Sequence, residues 1–252
     1  MQIRVTSTSN LISFLKKLKV VDKSVLLELD SEKLFCKVHT PDKSVMKYSA
    51  VDVDQVFDEM PELDGTCDRI KIGLIDVTRL MDCFKHFRPE EDIHLDLEVS
   101  EVEGECVATQ LRVVSNSLQI KIRCADLSLI SYVEDNILSI VHSKEDALSN
   151  FKIYSSDFSS VMALCGLESN SEELLVYKVE DNSVKINGDS FNYKLNIGSD
   201  EISVDGSTES SIYKSHLNYV DTETCGCYLH ENRIVFFSEQ SDTSTAVGII
   251  EK

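Results

Sequence analysis

One strand and helix pattern occurs twice in the sequence, and this repeat limits the folds open to the chain more than any other feature. In the first copy a short alternating strand, Ile3–Val5, precedes capping residues 7–9 and an apolar stripe at helical spacing, formed by Leu11, Phe14, Leu15 and Leu18. In the second half, Phe151–Tyr154 and caps at 155–157 precede the matching stripe of Phe158, Val161, Met162 and Cys165. A repeat on this scale predicts two tandem domains of similar build.

Within each half, a strand followed by a helix then occurs a second time. Ile70–Ile75 is a predicted strand and Asp76 a predicted N-cap. A second helical stripe follows before Pro89 prevents its continuation, formed by Val77, Leu80, Met81, Phe84 and Phe87. The second half has a strand at Ser211–Lys214 and a weaker helix around His216–Val220. With the short strands between them, these elements predict an α+β fold: two tandem domains, each a repeated β-α-β-β-β unit with its helices on one face of antiparallel sheets.

The domain boundaries follow from a change in pattern after the first half. We assign residues 1–125 to the first domain, residues 126–150 to an interdomain connector and residues 151–252 to the second domain. The connector mixes isolated apolar residues with acids and serines, so we expect a strap that lies on the protein surface.

The net charge of the chain excludes a protein whose whole surface is basic. The 252 residues contain 25 Lys and Arg against 44 Asp and Glu, a net charge of −19, so any contact with nucleic acid has to be local. The eight cysteines are too sparse for a secreted disulfide scaffold and are expected to be reduced core thiols. No signal-like or membrane-spanning run is found, which favours a cytoplasmic protein, in the host cytoplasm if the source is viral.

Motifs for catalysis are weak throughout the sequence. The nine glycines are scattered and form no phosphate loop. Cys225-Gly226-Cys227 has one intervening residue where zinc sites have at least two, and the six histidines are dispersed. We therefore predict no catalytic residue, no metal, no cofactor and no enzyme activity.

The basic residues are more informative because they are confined. On the first two helices, six of them lie mostly off the apolar stripes, and one more lies near the fourth helix: Lys16, Lys17, Lys19, Arg79, Lys85, Arg88 and Lys214. Two interpretations are open. The residues form a solvated helix face, or they contact DNA phosphates, which bind lysine without reading sequence.

The chain resembles the DNA sliding clamps, the processivity factors that include proliferating cell nuclear antigen (PCNA). The likeness is most specific to the clamp of T-even-type bacteriophages, in the run from Glu173 to Gly198, and looser from Ile212 to Ile250. The resemblance implies a closed homotrimer whose helices line a central hole, placed around duplex DNA by a clamp loader and tethering a polymerase. The Phe158–Cys165 helix carries no Lys or Arg, so we expect the first domain to make most of the DNA contacts.

The resemblance also implies a groove for the C-terminal peptide of a polymerase, beside the connector and the end of the chain. Apolar residues there are candidates for partner binding or for packing under the strap: Val38, Val45, Leu129, Ile130, Tyr132, Val247 and Ile249. Ring closure is expected to pair Cys106–Val114 with Leu174–Val179 of the next subunit. The alternatives to a clamp are a viral structural or adaptor protein of tandem β-rich domains and an unrecognised enzyme.

Overall fold

The computed structural model describes residues 1–58, 67–166, 173–180, 183–198, 201–204 and 207–248. The chain forms two compact units, of which the first comprises Met1–His39 and Tyr48–Val133 and the second Thr40–Lys47 and Glu134–Lys252. The units divide inside the segment assigned to the connector. The domain limits at residues 125 and 150 stay a prediction.

The first unit is a mainly antiparallel sheet with two helices. Its elements in chain order are β1 (Gln2–Arg4), α1 (Thr8–Lys19), β2 (Val25–Leu29), β3 (Lys33–His39), β4 (Val45–Asp52, shared with the second unit), β5 (Ile70–Leu74), α2 (Val77–Phe84), β6 (His94–Val102), β7 (Glu105–Val114) and β8 (Gln119–Arg123). The strands are ordered β1-β6-β7-β5-β2-β3, and β8 also pairs with β7. In the described residues, β5 and β7 form a parallel pair. This unit confirms the predicted β-α-β-β-β pattern, twice over.

Local signals set where the helices of this unit begin. The Ser7 side chain caps α1 by accepting a hydrogen bond from the Asn10 N–H at 3.2 Å, and Asp76 caps α2 by accepting from the Thr78 N–H at 2.9 Å. Both predicted stripes are buried. The last predicted residue of the second stripe, Phe87, is buried beyond the end of its helix, because α2 stops at Phe84.

The second unit contains two sheets. Its elements are α3 (Asp135–Val141), β9 (Ser149–Ile153), α4 (Ser155–Cys165), β10 (Leu174–Glu180), β11 (Ser183–Asn187), β12 (Asn192–Lys194), β13 (Ile202–Val204), β14 (Thr208–Tyr213), β15 (Cys225–Leu229), β16 (Arg233–Ser238) and β17 (Thr243–Gly248). One sheet has the order β17-β16-β15-β9-β13 and the other β12-β11-β10-β14. The Gly248 N–H donates to the Ser44 carbonyl at 2.9 Å, which places the start of β4 beside β17.

Two helical features of this unit differ from the sequence expectation. The weak helix predicted around His216–Val220 is a 3-10 helix, Lys214–Tyr219, and the segment expected to be a simple strap contains α3. The predicted α4 is confirmed, with Phe158, Val161 and Cys165 buried. In the described part of the chain, no helix is both long and apolar enough to cross a membrane.

The strands predicted to close a ring are not sheet edges. β7 has β6 on one side and both β5 and β8 on the other, and β10 lies between β11 and β14. Their long apolar character, which suggested an interface, reflects burial inside each sheet instead. The predicted pairing of these two strands across a subunit interface is therefore wrong.

The expectation of eight reduced thiols is right for six cysteines and wrong for two. Cys67 and Cys106 form a disulfide with their Cα atoms 5.9 Å apart. The six free cysteines are buried, and burial raises the pKa of the Cys124 thiol to about 11 and that of Cys227 further. Thiols held neutral in this way are poor nucleophiles.

Candidate nucleic-acid interface and partner pocket

Two helices of the first unit, α1 and α2, contact each other. Lys16, Lys17 and Lys19 lie on α1 and Arg79 lies on α2. Lys85 is the C-cap of α2 and Arg88 lies beyond its end, which corrects the expectation that both are on the second helix. The apolar stripes of both helices are buried, so the basic positions are left at or near the surface. Four of these residues are exposed and two half-buried: Lys16, Arg79, Lys85 and Arg88, and then Lys17 and Lys19. We call these six residues the basic helix face.

Little in the unit neutralises this face. Lys85 binds Asp82 at 2.6 Å, but both side chains are at least half exposed, so the pair is weak. Within the described residues, Lys16, Lys19, Arg79 and Arg88 form no ion pair with a carboxylate. Nearby carboxylates offset part of this charge, since Arg79 helps to lower the pKa of Asp76 and Arg88 that of Glu91, each as a smaller effect than the hydrogen bonds of that carboxylate.

Several other cations of the first unit are already paired with acids. Glu28 is buried between Lys37, at 2.7 Å, and Arg69, at 2.8 Å. Arg112 binds two acids of β6, and Lys71 binds an acid of β7. Besides the basic helix face, exposed Lys23, Lys121 and Arg123 also form no ion pair with a carboxylate among the described residues.

The second unit offers no equivalent face in its described residues. The exposed positions of α4 are the small neutral residues Ser155, Ser156, Ser159 and Ala163. Lys214, the one basic candidate in this unit, has a side chain only 10% exposed, and its ammonium lies 3.7 Å from the buried carboxylate of Glu173. Lys214 thus acts as an internal counter-charge, which corrects its assignment as a DNA contact.

A small pocket opens within the second unit, beside the start of β4 and the end of β17. Its volume is about 240 Å³, enough to receive an apolar side chain of a partner. Apolar lining comes from Met46, Val141 and Ala246, and the charged lining residues are Lys43 and Arg233.

The turn at one edge of this pocket is fixed by a carboxylate. Asp42 accepts hydrogen bonds from the Thr40 hydroxyl at 2.6 Å and from the Ser44 N–H at 3.1 Å. These bonds, that of Thr40 foremost, hold the pKa of Asp42 below its usual range. Lys43 between them has a positive φ of 60° and is exposed, so the turn presents its ammonium beside the pocket.

Most of the predicted partner residues are not accessible. Four are buried in the core, namely Val38, Val45, Ile130 and Val247. Leu129 and Tyr132 are 69% and 46% exposed, and Ile249 lies outside the described residues. Of the seven, only Val247 is seen to line the pocket in the described part of the chain.

Sequence reasoning missed Met46, Val141 and Arg233, which do line the pocket. The alternation of side chains along β4 could have identified Met46. Val45 is buried, and neighbouring side chains of a strand point to opposite faces of the sheet. Arg233 and Val141 carry no comparable signal, since they meet only through the tertiary structure.

Known structures show the same fold across the whole chain. PCNA from A. fulgidus bound to the C-terminal region of FEN-1 is 15% identical, covers 100% of both chains and has a TM-score of 0.70. PCNA from Entamoeba histolytica is 11% identical over 98% of this chain and 97% of its own, with a TM-score of 0.69. A PCNA2–PCNA3 complex from Sulfolobus tokodaii is 11% identical over 98% of each chain, with a TM-score of 0.68.

Sequence comparison adds no relative: neither a family model nor a curated protein matches the chain. At such low identity the structural matches establish the fold alone. The predicted fold class, α+β with two tandem clamp domains, is confirmed.

Proposed function

We propose that this chain is the subunit of a non-enzymatic DNA polymerase sliding clamp, a ring that encircles duplex DNA and tethers the replicative polymerase. The observation that carries the proposal is the basic helix face, which stands on a clamp fold in a chain of net charge −19. On such a chain, basic residues grouped on and just after two adjacent helices are suited to binding a polyanion at one place.

The physics of sliding agrees with this arrangement. Lysine and arginine contacts to phosphate carry no sequence information, so a ring held by them can move along the duplex. Acidic surfaces elsewhere repel DNA and discourage binding to the outside of the ring. Because α4 carries no Lys or Arg and Lys214 is paired, the first unit supplies most of the contacts.

We propose a homotrimer closed through the open edges of β8 and β12. On β8, the Cys124 N–H donates to the Thr109 carbonyl, and the Ser115 N–H donates to the Leu118 carbonyl. These two bonds establish which residues of β8 direct their N–H groups towards β7, because hydrogen-bonded and non-hydrogen-bonded pairs alternate along an antiparallel ladder. The N–H of Lys121 therefore points away from β7. On β12, the Leu195 N–H bonds to Val184, so that of Lys194 points away from β11.

Two different edges joining head to tail give a heterologous contact, which makes a ring when the rotation closes. β8 alternates exposed and half-buried residues, as expected of a strand with one open side. β14, the other edge of the four-stranded sheet, packs against β16 and is a poorer candidate.

Partner binding is proposed at the pocket of the second unit. The A. fulgidus match was solved with a C-terminal region of another protein bound, which supports a peptide as the ligand here, such as the C-terminus of a polymerase. A clamp loader is a required partner, because a closed ring cannot thread onto circular DNA. The likeness to T-even-type phage clamps supports a role in viral DNA replication in the host cytoplasm.

Retention on circular DNA tests the proposal. Protein loaded with a clamp loader onto a nicked plasmid should stay bound through gel filtration and be released when the plasmid is cut once. Its solution mass should be that of three chains. Equal retention on circular and cut DNA, or a monomer at micromolar concentration, would count against a clamp and favour a structural or adaptor protein.

A further inference from the structure

The two strands proposed to close the ring both carry cations that the subunit itself does not neutralise. Lys121 and Arg123 of β8 and Lys194 of β12 are exposed, and among the described residues none of the three forms an ion pair with a carboxylate. Neither strand contains an acid. Lysine on an open sheet edge discourages pairing with another edge, yet these are the edges that have to pair.

The cations of β8 lie on the face of the sheet that is turned away from the core. Ile120 and Ile122 pair with buried residues of β7, so both isoleucines share the core face. Lys121 lies between them and therefore points to the opposite face, where it pairs with Arg112. Arg112 already binds two acids of β6, at 2.8 and 2.9 Å. The acids nearest to Lys121 along this row are thus engaged two strands away.

β12 has the same arrangement. Tyr193 pairs with the buried Ile186 of β11 and donates its hydroxyl hydrogen to Asp157 of α4 at 2.7 Å, so it lies on the core face. Lys194 lies on the other face, where it pairs with Lys185. The Lys185 ammonium is 3.8 Å from an acid of β10. Each open edge therefore ends in a cation, with a second cation behind it.

The outward N–H groups decide which side chains meet when the two edges join. On β8 the outward residues are Gln119, Lys121 and Arg123, and on β12 they are Asn192 and Lys194, because donors alternate along each strand. In an antiparallel pairing, outward residues of one strand lie opposite outward residues of the other. Every register that places Lys194 against β8 therefore sets it opposite or diagonal to Lys121, with their Cα atoms within about 8 Å.

Closure thus brings three cations from two subunits onto one side of the joined sheet. Like charges directly opposite each other destabilise a strand pair. The repulsion between exposed side chains is weak and is reduced by salt, but a ring of identical chains repeats it at every junction. An anion between the strands replaces this repulsion with attraction. An oxyanion with more than one charge suits the site, since a guanidinium binds phosphate oxygens in pairs and lysine ammonium groups donate to the others.

We propose that Lys121 and Arg123 of one subunit and Lys194 of the next form an anion site at each junction, which binds a multivalent oxyanion of the phosphate class and sets how tightly the ring closes. The inference rests on the proposed function, which joins β8 to β12. With the site empty the ring dissociates more readily, and with an oxyanion bound it stays closed.

Dilution of the full chain in two salts tests the site. Mass photometry gives the fraction of trimers as the protein is diluted, in sodium chloride and in sodium phosphate at the same pH and ionic strength. Screening depends on ionic strength and not on which anion supplies it, so we expect phosphate to lower the concentration at which half of the trimers dissociate by about fivefold or more relative to chloride.

The Lys121→Gln, Lys194→Gln double variant keeps every backbone donor of the two edges and removes two charges from each site. In chloride it should remain trimeric at greater dilution than the wild type, and phosphate should change its dissociation by no more than about twofold. Lys23→Gln with Lys144→Gln is the matched control, because both lysines are exposed and neither lies on β8 or β12. The control should respond to phosphate as the wild type does, and a general salting-out effect would act on all three proteins alike.

The outcomes separate this inference from the clamp function. Equal dissociation of wild-type trimers in the two salts, an undiminished phosphate response in the edge variant, or an equal loss of response in the control would each overturn the anion site alone. A wild type that is monomeric at micromolar concentration in both salts would overturn the clamp function and the anion site together.

Discussion

Gly73 is a position where a single methyl group has no room. A Cβ atom there would lie 2.8 Å from the Ile130 side chain and 2.9 Å from the Ala125 carbonyl oxygen. The Ala125 N–H also bonds to the Gly73 carbonyl at 2.9 Å, so the two backbones cannot easily separate. We predict that Gly73→Ala lowers the free energy of unfolding by about 1–3 kcal/mol, measured by urea denaturation.

Gly226 provides the control, because it also lies in a strand. A Cβ there would meet only the Tyr228 ring, at 3.5 Å, an ordinary contact. Gly226→Ala should therefore leave the stability within about 0.5 kcal/mol of the wild type. Equal stability of the two variants would contradict the close approach at Gly73.

His142 should make stability depend on pH. Burial, with a smaller effect of Arg233, lowers its pKa from 6.5 to about 4. Above pH 6.5 the ring is neutral in both states, and as the pH falls towards 4 only the unfolded state gains the proton. We predict that His142 costs about 2 kcal/mol of stability at pH 5 relative to pH 7.5, levelling off below pH 4.

His216 and His230 also have lowered pKa values, so the wild type alone does not report the contribution of His142. A comparison of the wild type with a variant that lacks His142 isolates that contribution. His142→Gln cannot titrate, so its urea midpoint should fall less between pH 7.5 and pH 5 than that of the wild type. The exposed His86→Gln should behave like the wild type. Identical pH profiles for His142→Gln and wild type would show that His142 is not held neutral.

At the scale of elements, α1 and α2 differ from α4 in charge while sharing its burial pattern. We predict that Lys16→Ala with Arg88→Ala weakens binding to nicked circular DNA. The slope of log affinity against log salt should become shallower by about 0.9 for each phosphate that the protein no longer neutralises. Both side chains are exposed, so thermal unfolding should stay unchanged.

Lys178→Ala with Lys185→Ala removes the same charge from the sheet of the second unit, where both lysines bind Glu180. This control should keep the wild-type affinity and salt slope. If both double variants lose affinity equally, net charge governs binding and the basic helix face has no special role.

At the scale of the whole molecule, assembly depends on donors that face outward from two strands. We predict that Lys121→Pro in β8 or Lys194→Pro in β12 yields monomers, because each removes one N–H from an open edge and none from the ladder inside the subunit. Multi-angle light scattering after gel filtration gives the mass.

Lys121→Ala and Lys194→Ala keep the N–H groups and should remain trimers. Circular dichroism at room temperature should show the proline variants folded. If both proline variants are folded and still form trimers, the subunit interface uses strands other than β8 and β12.

The sequence by itself determined the parts of this protein that depend on near neighbours. Helix stripes, the Ser7 and Asp76 caps and the repeated order of strands and helices follow from spacing over a few residues, because capping and amphipathic burial act within one or two turns. The same periodicity placed Lys16, Lys17, Lys19 and Arg79 on helices correctly, but extended the second helix too far, to Arg88.

Only the tertiary structure decided which side chains remain available. Ile130 is buried against Gly73, and Lys214 is held by Glu173. The last carbonyls of α3 accept hydrogen bonds from Arg233, which is 92 residues further along the chain than Val141. The open edges of β8 and β12 likewise became visible only once every strand had its neighbour. Contacts between distant residues leave no periodic trace in the sequence, since each depends on one particular pair of residues and not on a repeated spacing.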